Sequence, residues 1–390
     1  MSYAQHRRII DADSHVIELD SFLRNAAAEA DLALLPDMDQ QDVLPVTHER
    51  MEAGKALFER RQNGDKELIA DCEEKVVSDI LGGWGRLGSF DPVERSRAMD
   101  IFGYELQWVL PTFSFHQVAH ADQPDVLEAG ARTLNKAMGD FCSHDDRLKA
   151  IGYLPLTLGP DIASRLMQQG FADGIYTFMV DTSEPNPDKQ SFTHKDFDPV
   201  WAGFVEQGVP FGIHVAANGQ HNPVPGSFRN NGKELLELGG DAPASELGLV
   251  TIYHHAQIFL SALIFDGVFE RHPDLNGLCM EHGAFWLPSW LHALDFTQRA
   301  YFVKRKFAQK PSDVARKHLR FSPFAGEPVG WIIENVGPDM LVFASDFPHP
   351  EGGPDPIGRF EATMQNCNEE TMSAFYHGNM EKLMGIKATA

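Results

Sequence analysis

Residues 7–16 read RRIIDADSHV, an apolar run that ends in two side chains able to bind a metal, Asp13 and His15. Side chains two positions apart lie on the same face of a strand, so this pair can bind a single ion. Seven further runs along the chain have the same β-like composition. They are YELQWVLPTF (104–113), LKAIGYLPL (148–156), DGIYTFMVDTS (173–183), VPFGIHVAA (209–217), LNGLCMEHG (275–283), HLRFSPFA (318–325) and MLVFASDF (340–347).

Amphipathic stretches separate many of these runs, with apolar residues near helical spacing at residues 126–144, 160–169, 259–271 and 289–306. Eight strands that alternate with helices are typical of a (β/α)8 barrel, and a doubly wound open sheet is the second choice. We therefore expect an α/β fold in which residues 1–390 form a single domain, a distorted (β/α)8 TIM barrel.

Residues 24–100 interrupt this alternation. They are too long for one crossover and contain a charged helical stretch, HERMEAGKALFERRQNGDKELIADCEEK, and a Gly-rich turn, LGGWGRLGS. We expect them to form a helical insertion after the first strand, either a cap over the barrel or an arm for oligomer contacts. The corresponding expectation is a homo-oligomer, a dimer or a tetramer.

The charge balance argues against a phosphate-rich partner. The formal net charge is −23, from 33 Lys and Arg against 56 Asp and Glu, and it repels nucleic-acid backbones. The first residues match no signal peptide, and the longest apolar stretch, IFLSALIFDGVF (258–269), is interrupted by Asp266 and too short to cross a bilayer. The cysteines show no CxxC spacing. We expect a cytoplasmic protein with reduced thiols, no nucleic-acid partner and no membrane segment.

Three further runs end near a possible metal ligand: VPFGIHV contains His214, LCMEHG contains His282 and LVFASDF contains Asp346. Each side chain alone is compatible with a structural role, as a cap or a hydrogen-bonded core residue. A buried ionisable side chain needs partners for its polar atoms, and strand ends that converge on one cation would provide them. Because these features fall at the carboxyl ends of predicted strands one, five, six and eight, we interpret them together as a metalloenzyme site.

The motifs DxDxHV, GIHV, EHG and SDFPHPEG, in this order over nearly the whole chain, resemble the amidohydrolase superfamily. The resemblance is to the amidohydrolase-related branch that includes aminocarboxymuconate-semialdehyde decarboxylase and the resorcylate- and carboxyvanillate-type decarboxylases. It implies that Asp13, His15, His214 and Asp346 bind one divalent metal ion, and that His282 acts beside the ion without binding it. Asp13 stands where many relatives have the first histidine of an HxH motif, a departure shared by branch members that use a carboxylate there.

The ligand set constrains the metal. Two carboxylates and two neutral imidazoles balance a divalent charge, and the added oxygen ligand shifts the preference from zinc alone toward zinc or manganese. The fourth run, DGIYTFMVDTS, contains no lysine that could be carboxylated to bridge two ions, as binuclear amidohydrolases require. We therefore expect one divalent metal ion, Zn or Mn.

Two reactions are compatible with these residues. In a non-oxidative decarboxylase of a small hydroxylated aromatic or unsaturated carboxylic acid, the metal would bind the substrate carboxylate, and Asp346 or His282 would supply the proton that replaces carbon dioxide. In a hydrolase of a C–N or C–C bond, the metal would activate a water, Asp346 would take its proton, and His282 would polarise the carbonyl. The resemblance favours the decarboxylase, and a non-catalytic, metal-stabilised binding barrel is the third possibility.

Five residues are candidates for contacts with a small-molecule carboxylate substrate: Arg229, Arg359, His349, His116 and Phe113. The arginines have the fork geometry that binds a carboxylate through two hydrogen bonds, although loop arginines are often only solvated. The histidine of the SDFPHPEG motif has a turn-stabilising role as its alternative, and the last two candidates could line an aromatic pocket or belong to the core. Glu281 would point away from its neighbour His282 in a regular strand, so we assign it no catalytic role.

Overall fold

The computed structural model describes residues 2–35, 45–78, 83–119, 121–182, 190–215, 228, 246–300 and 307–386. Within these ranges, seven parallel strands form a curled sheet in sequence order. The strands are β1 (Ile10–His15), β2 (Leu106–Leu110), β3 (Leu148–Leu154), β4 (Thr177–Val180), β5 (Phe211–Ile213), β6 (Gly277–Cys279) and β7 (Leu319–Phe321). Nearly every strand residue is buried, as expected for a parallel sheet that helices cover.

The eighth predicted strand, residues 340–347, is not a regular strand, but it connects the two edges of the sheet. The Phe321 amide of β7 donates to the Met340 carbonyl (2.9 Å), and the Ala12 amide of β1 donates to the Phe343 carbonyl (3.0 Å). The ladder is interrupted because the Ser345 amide donates instead to the side chain of Asp11 (2.8 Å). The result is a barrel-like α/β fold.

Helices connect the strands and pack around them. Those described are Phe22–Ala26, Pro45–Gln62, Lys66–Lys75, Pro92–Phe102, Phe113–Ala119, Pro124–Cys142, Pro160–Ala172, Asp198–Gln207, Glu246–Thr251, His254–Phe265, Val268–Arg271, Leu287–Ala300, Pro311–His318, Val329–Val336, Pro356–Thr363, Glu369–Ser373 and Asn379–Leu383, with a π-helical turn at Ala374–Gly378. All four stretches predicted as helices are largely helical in their described parts, and the third is divided into two short helices. Residues 301–306 of the fourth stretch lie outside the described residues. Several helices begin with a proline, whose missing N–H is not needed in the first turn.

The described part of residues 24–100 is mostly helical, and a buried ion pair within it holds its helices together. Arg61 donates to both oxygens of Glu94, each at 2.9 Å, and to the Gly85 carbonyl (2.8 Å). The neighbouring Trp84 packs edge-on against Phe113, which follows β2, with ring centroids 5.1 Å apart. The contact between Trp84 and Phe113 places the segment near the carboxyl end of β2. Its action as a cap or an oligomer arm stays a prediction.

One described stretch, Glu246–Phe265, is long and apolar enough to cross a membrane by length and composition. It exceeds the 258–269 run considered from the sequence because the preceding residues are also apolar. Core helices of soluble proteins meet the same criterion, and Ala256, Leu260 and Leu263 of this stretch are fully buried. The cytoplasmic location stays a prediction.

Candidate metal centre

The predicted ligands come from the carboxyl ends of neighbouring parallel segments, which meet at one end of the sheet. Asp13 and His15 end β1, His214 directly follows β5, and Asp346 lies in the segment that joins the sheet edges. Asp13, His15 and His214 are at most 5% exposed. The parallel topology therefore brings together residues more than three hundred positions apart in the sequence.

The ligand atoms form two overlapping groups. His15 Nε2 lies 3.2 Å from Asp13 Oδ1 and 3.7 Å from Asp346 Oδ1, and His214 Nε2 lies 3.8 Å from Asp13 Oδ1. In one group, ligand atoms of Asp13, His15 and His214 all lie within 4.8 Å of one another; in the other, those of His15, Asp346 and His349 do. His15 belongs to both groups, so the four predicted ligands surround one small region and His349 joins them.

The hydrogen-bond pattern assigns the tautomers of the two histidines. His15 Nδ1 lies 3.1 Å from the Pro111 carbonyl, and His214 Nδ1 lies 2.9 Å from the Val215 carbonyl. A carbonyl oxygen only accepts, so Nδ1 carries the proton in both rings and Nε2 of each neutral ring presents a lone pair. Both lone pairs face the carboxylate of Asp13, an arrangement that is repulsive unless a cation lies between them.

Because the ligand atoms are buried, water cannot take the place of that cation. Among the described residues, Asp13 Oδ1, His214 Nε2 and Asp346 Oδ1 are buried and have no hydrogen-bond partner. Burial raises the pKa of Asp13 and lowers the pKa of His214, so the site penalises an unpaired charge on either group. Carboxylate oxygens and neutral imidazole nitrogens are ligands that Zn²⁺ and Mn²⁺ accept, so the residues present fit a divalent ion.

A second layer of hydrogen bonds fixes the position of Asp346. Asp11 is fully buried and accepts from Gln107 Nε2 (2.8 Å), from the Ser345 amide (2.8 Å) and from the Ser345 hydroxyl (2.6 Å). Burial raises the pKa of Asp11 to about 7, against the effect of these donors. Asp346 itself has a positive φ of 54°, and its amide donates to the Asp13 carbonyl (2.9 Å). The backbone of β1 thus holds both carboxylates.

A buried arginine supports the other side of β1. Arg95 has no exposed surface, donates to the His15 carbonyl, to Gln107 Oε1 (3.0 Å) and to the Gly88 carbonyl (2.6 Å), and lies over the Phe347 ring. Burial lowers the pKa of Arg95 to about 10. Nothing in the sequence around Arg95 indicated that it supports β1 at the site.

His349 lies within the site rather than in an exposed turn. Its ring stacks on that of His15, with centroids 4.1 Å apart. Its Nε2 lies 3.0 Å from Thr112 Oγ1, whose hydroxyl donates to the Val16 carbonyl (3.0 Å). Thr112 therefore accepts the Nε2 proton, and the Nδ1 lone pair of the neutral ring faces Asp346 Oδ1 at 3.2 Å.

His282 is buried beside this group but belongs to neither set of ligand atoms. Its Nδ1 lies 2.7 Å from the Met280 carbonyl, so Nδ1 carries the proton and Nε2 is an acceptor. Burial first, and the nearby His214 second, lower the pKa of His282 to about 3. The ring is consequently neutral. Its action beside a metal stays a prediction.

Glu281, to which the sequence analysis assigned no role, also faces the site. β6 ends at Cys279, and Glu281 has a positive φ of 54°, so the alternation of a regular strand does not apply to it. Its Oε2 lies 3.1 Å from His214 Nε2. The only sequence signal was a carboxylate directly before a candidate catalytic histidine.

The other residues predicted to contact the substrate lie in different environments. The Phe113 amide donates to Glu18 Oε2 (2.9 Å) at the start of a helix that also carries the partly exposed His116. Arg359 donates to the backbone carbonyls of Gly352 (3.1 Å) and Ala325 (2.6 Å), so two of its N–H groups hold loops together. Arg229 lies outside the described residues. A role in substrate binding stays a prediction for each of them.

Comparisons with known proteins identify the family and the fold of the chain. A sequence model described as "Amidohydrolase" matches residues 10–386. No curated protein matches the chain. Among solved structures, an amidohydrolase from Mycobacterium avium subsp. paratuberculosis K-10 has a TM-score of 0.70 at 20% identity, over 97% of this chain and 100% of the other.

Two further similar structures are decarboxylases. The 5-carboxyvanillate decarboxylase of Novosphingobium aromaticivorans, complexed with manganese and 4-hydroxy-3-methoxy-5-nitrobenzoic acid, has a TM-score of 0.63 at 17% identity, over 98% of this chain and 97% of the other. A dihydroxybenzoic acid decarboxylase of Polaromonas sp. JS666, with bound manganese and 2-nitroresorcinol, has a TM-score of 0.64 at 16% identity, over 98% of both chains. These likenesses concern the fold, whereas the sequence model spans almost the whole chain. This chain belongs to the amidohydrolase family.

Proposed function

We propose that this chain is a metal-dependent decarboxylase of a small carboxylic acid, either a hydroxylated aromatic acid or an unsaturated one. The observation that carries the proposal is the set of buried lone pairs on His15 and His214 that face the Asp13 carboxylate. Two structurally similar proteins are decarboxylases of aromatic acids with bound manganese, which supports both the reaction and the ion.

In this proposal Asp13, His15, His214 and Asp346 hold one divalent ion, Mn or Zn. The two carboxylates and two neutral imidazoles balance its charge. When bound, the ion supplies a fixed positive charge that attracts the substrate carboxylate and a neighbouring oxygen. The hydrogen bonds from His15 to Pro111 and from His214 to Val215 hold both rings with Nε2 directed inward.

Asp346 is the proposed proton carrier. Its side chain is 13% exposed, compared with 2% for that of Asp13, so it is the carboxylate that a substrate can reach. Cleavage of the bond to the carboxyl carbon would leave its electron pair on the substrate carbon as carbon dioxide departs. Asp346, which is ionised when it holds the ion, would take up a proton from solvent and pass it to that carbon to form the new C–H bond. His282 has already donated its one N–H to Met280, so its Nε2 accepts a hydrogen bond from a substrate hydroxyl instead of delivering the proton.

We also propose that the sheet and residues 340–347 form a distorted (β/α)8 barrel, and that residues 1–390 make up a single domain. Residues 24–100 act as its helical cap, which the packing of Trp84 on Phe113 supports. The protein works in the cytoplasm as a dimer or tetramer. Arg229, Arg359, His349, His116 and Phe113 remain the proposed substrate contacts.

Metal analysis of the purified protein, combined with a substrate panel, tests the proposal. The panel contains hydroxylated benzoic acids, unsaturated carboxylic acids, and the amides and esters of the same acids. We expect about one Mn or Zn per chain and carbon dioxide release from at least one acid. Hydrolysis of an amide or ester without carbon dioxide release would favour the hydrolase, and bound metal without turnover of the panel would favour a binding barrel.

A further inference from the structure

Glu281 leaves the strand geometry directly after β6. Its φ of 54° lies in the left-handed region, which is uncommon for residues other than glycine, asparagine and aspartate. The Glu281 amide donates to the hydroxyl of Ser322, which follows β7 (3.2 Å), and the next residue but one, Gly283, also has a positive φ of 63°. This turn directs the Glu281 carboxylate to the end of β5.

The carboxylate meets the nitrogen that is available for a metal. Glu281 Oε2 lies 3.1 Å from His214 Nε2, and the proton of that ring is on Nδ1, donated to the Val215 carbonyl. His214 Nε2 is buried and has no hydrogen-bond partner among the described residues. An acceptor nitrogen and a carboxylate oxygen at this distance repel each other unless a positive charge is shared between them.

His15 also has a carboxylate oxygen close to its unprotonated ring nitrogen. His15 Nε2 and Asp13 Oδ1 are 3.2 Å apart. Ligand atoms bound to one ion at about 2.1 Å lie roughly 3.0 to 3.4 Å from each other when their bonds are about 90° to 109° apart. Each of these nitrogen–oxygen pairs therefore has the separation of adjacent ligands on one cation. Glu281, like His282, belongs to neither group of ligand atoms that lie within 4.8 Å of one another, so its carboxylate must rotate toward the ion when the ion binds.

We propose that Glu281 is a further ligand of the divalent ion, bound next to His214. The inference rests on the proposed metal-dependent function and adds a third carboxylate to its ligand set. A third hard oxygen ligand gives the protein ligands more negative charge than the ion can neutralise and raises the coordination number, which favours Mn²⁺ over Zn²⁺.

The test compares metal affinities of the full chain after its metal has been removed with a chelator. Mn²⁺ and Zn²⁺ are titrated separately by calorimetry into the wild type, Glu281→Gln and Glu281→Asp. Glu334→Gln is the control because it removes the same charge from an exposed position on a helix. Circular dichroism and thermal unfolding of the metal-free proteins check folding. Since Glu281→Asp keeps the charge and withdraws the oxygen by one methylene, it decides the question if Glu281→Gln does not fold.

We expect the Kd for Mn²⁺ to rise at least about tenfold in both Glu281 variants, with a smaller rise for Zn²⁺ and no change in the control. The Mn²⁺-loaded wild type and Glu281→Gln should also differ in their electron paramagnetic resonance spectra. An unchanged Kd for both metals in a folded Glu281 variant would overturn the proposal and leave Glu281 as a neighbour of His214 with no part in metal binding. A wild type that binds neither metal would instead refute the metal-dependent function itself.

Discussion

Glu327 provides a stability test of the segment that carries His282. Its carboxyl accepts hydrogen bonds from the Ala284 amide, at 2.9 Å and 3.2 Å to the two oxygens, and thereby holds the turn that follows β6. Burial raises the pKa of Glu327 from 4.5 to about 7, although these amide donors lower it. The folded protein thus binds this proton more tightly than the unfolded chain does.

The sign of the effect follows by linkage. A carboxyl whose pKa is raised on folding contributes stability that is complete below the unfolded pKa and is lost as the pH rises through the folded pKa. For Glu327 the loss falls between pH 4.5 and about 7. A pKa difference of this size corresponds to about 3 kcal/mol, an upper limit because the side chain keeps some contact with water.

The perturbation is Glu327→Gln, which keeps one acceptor for the Ala284 amide and cannot ionise. The assay is urea unfolding of the metal-free wild type and variant from pH 5 to pH 8, with Glu334→Gln as an exposed control. Relative to the wild type, Glu327→Gln should gain stability with rising pH, by up to about 3 kcal/mol at pH 8 compared with pH 5. Parallel pH profiles for the wild type and the variant would mean that the Glu327 carboxyl has the same pKa in the folded and the unfolded protein.

Three further outcomes are expected. His282→Asn should keep the ion, as metal analysis will show, and should lose roughly 10²- to 10⁴-fold in kcat in steady-state kinetics. Release of the ion would make His282 a ligand, and near-normal turnover would remove His282 from the mechanism. Thr112→Val removes the hydrogen-bond acceptor of His349 Nε2 and should lower kcat about tenfold or more with metal content unchanged, whereas Thr112→Ser should keep the wild-type kcat. An unaffected kcat in Thr112→Val would mean that Thr112 does not position the His349 ring. Arg61→Met leaves the buried Glu94 without its guanidinium and should lower the free energy of unfolding by about 3 kcal/mol, whereas unchanged urea unfolding would mean that the ion pair contributes nothing.

The sequence pattern predicted the relative placement of some candidate site residues, whereas metal binding by these residues stays a prediction. Asp13 and His15 lie two residues apart on β1, and their Oδ1 and Nε2 atoms are 3.2 Å apart, as alternation on a strand predicts. The parallel topology then brings His214 to the same end of the sheet. These relations depend only on strand direction and side-chain alternation, both of which are visible in the sequence.

Residues outside regular strands could not be predicted in this way. Glu281 and Asp346 both have a positive φ of 54°, so the direction of each side chain is set by the local turn and not by the strand period. The eighth run has the composition of a strand, but the Asp11 side chain takes the place of a backbone partner at Ser345. The N–H groups of Arg359 are shared with two backbone carbonyls that only the folded chain brings near it.

The metal content of His214→Ala shows whether the ion binds at the ends of β1 and β5. Wild type, His214→Ala and the exposed control His292→Ala are purified in the same way, loaded with Mn²⁺, dialysed together and analysed for bound metal. We expect about one ion per chain in the wild type and the control, and loss of nearly all metal in His214→Ala. A His214→Ala protein that retains a full complement of the ion would contradict the assignment of the metal site.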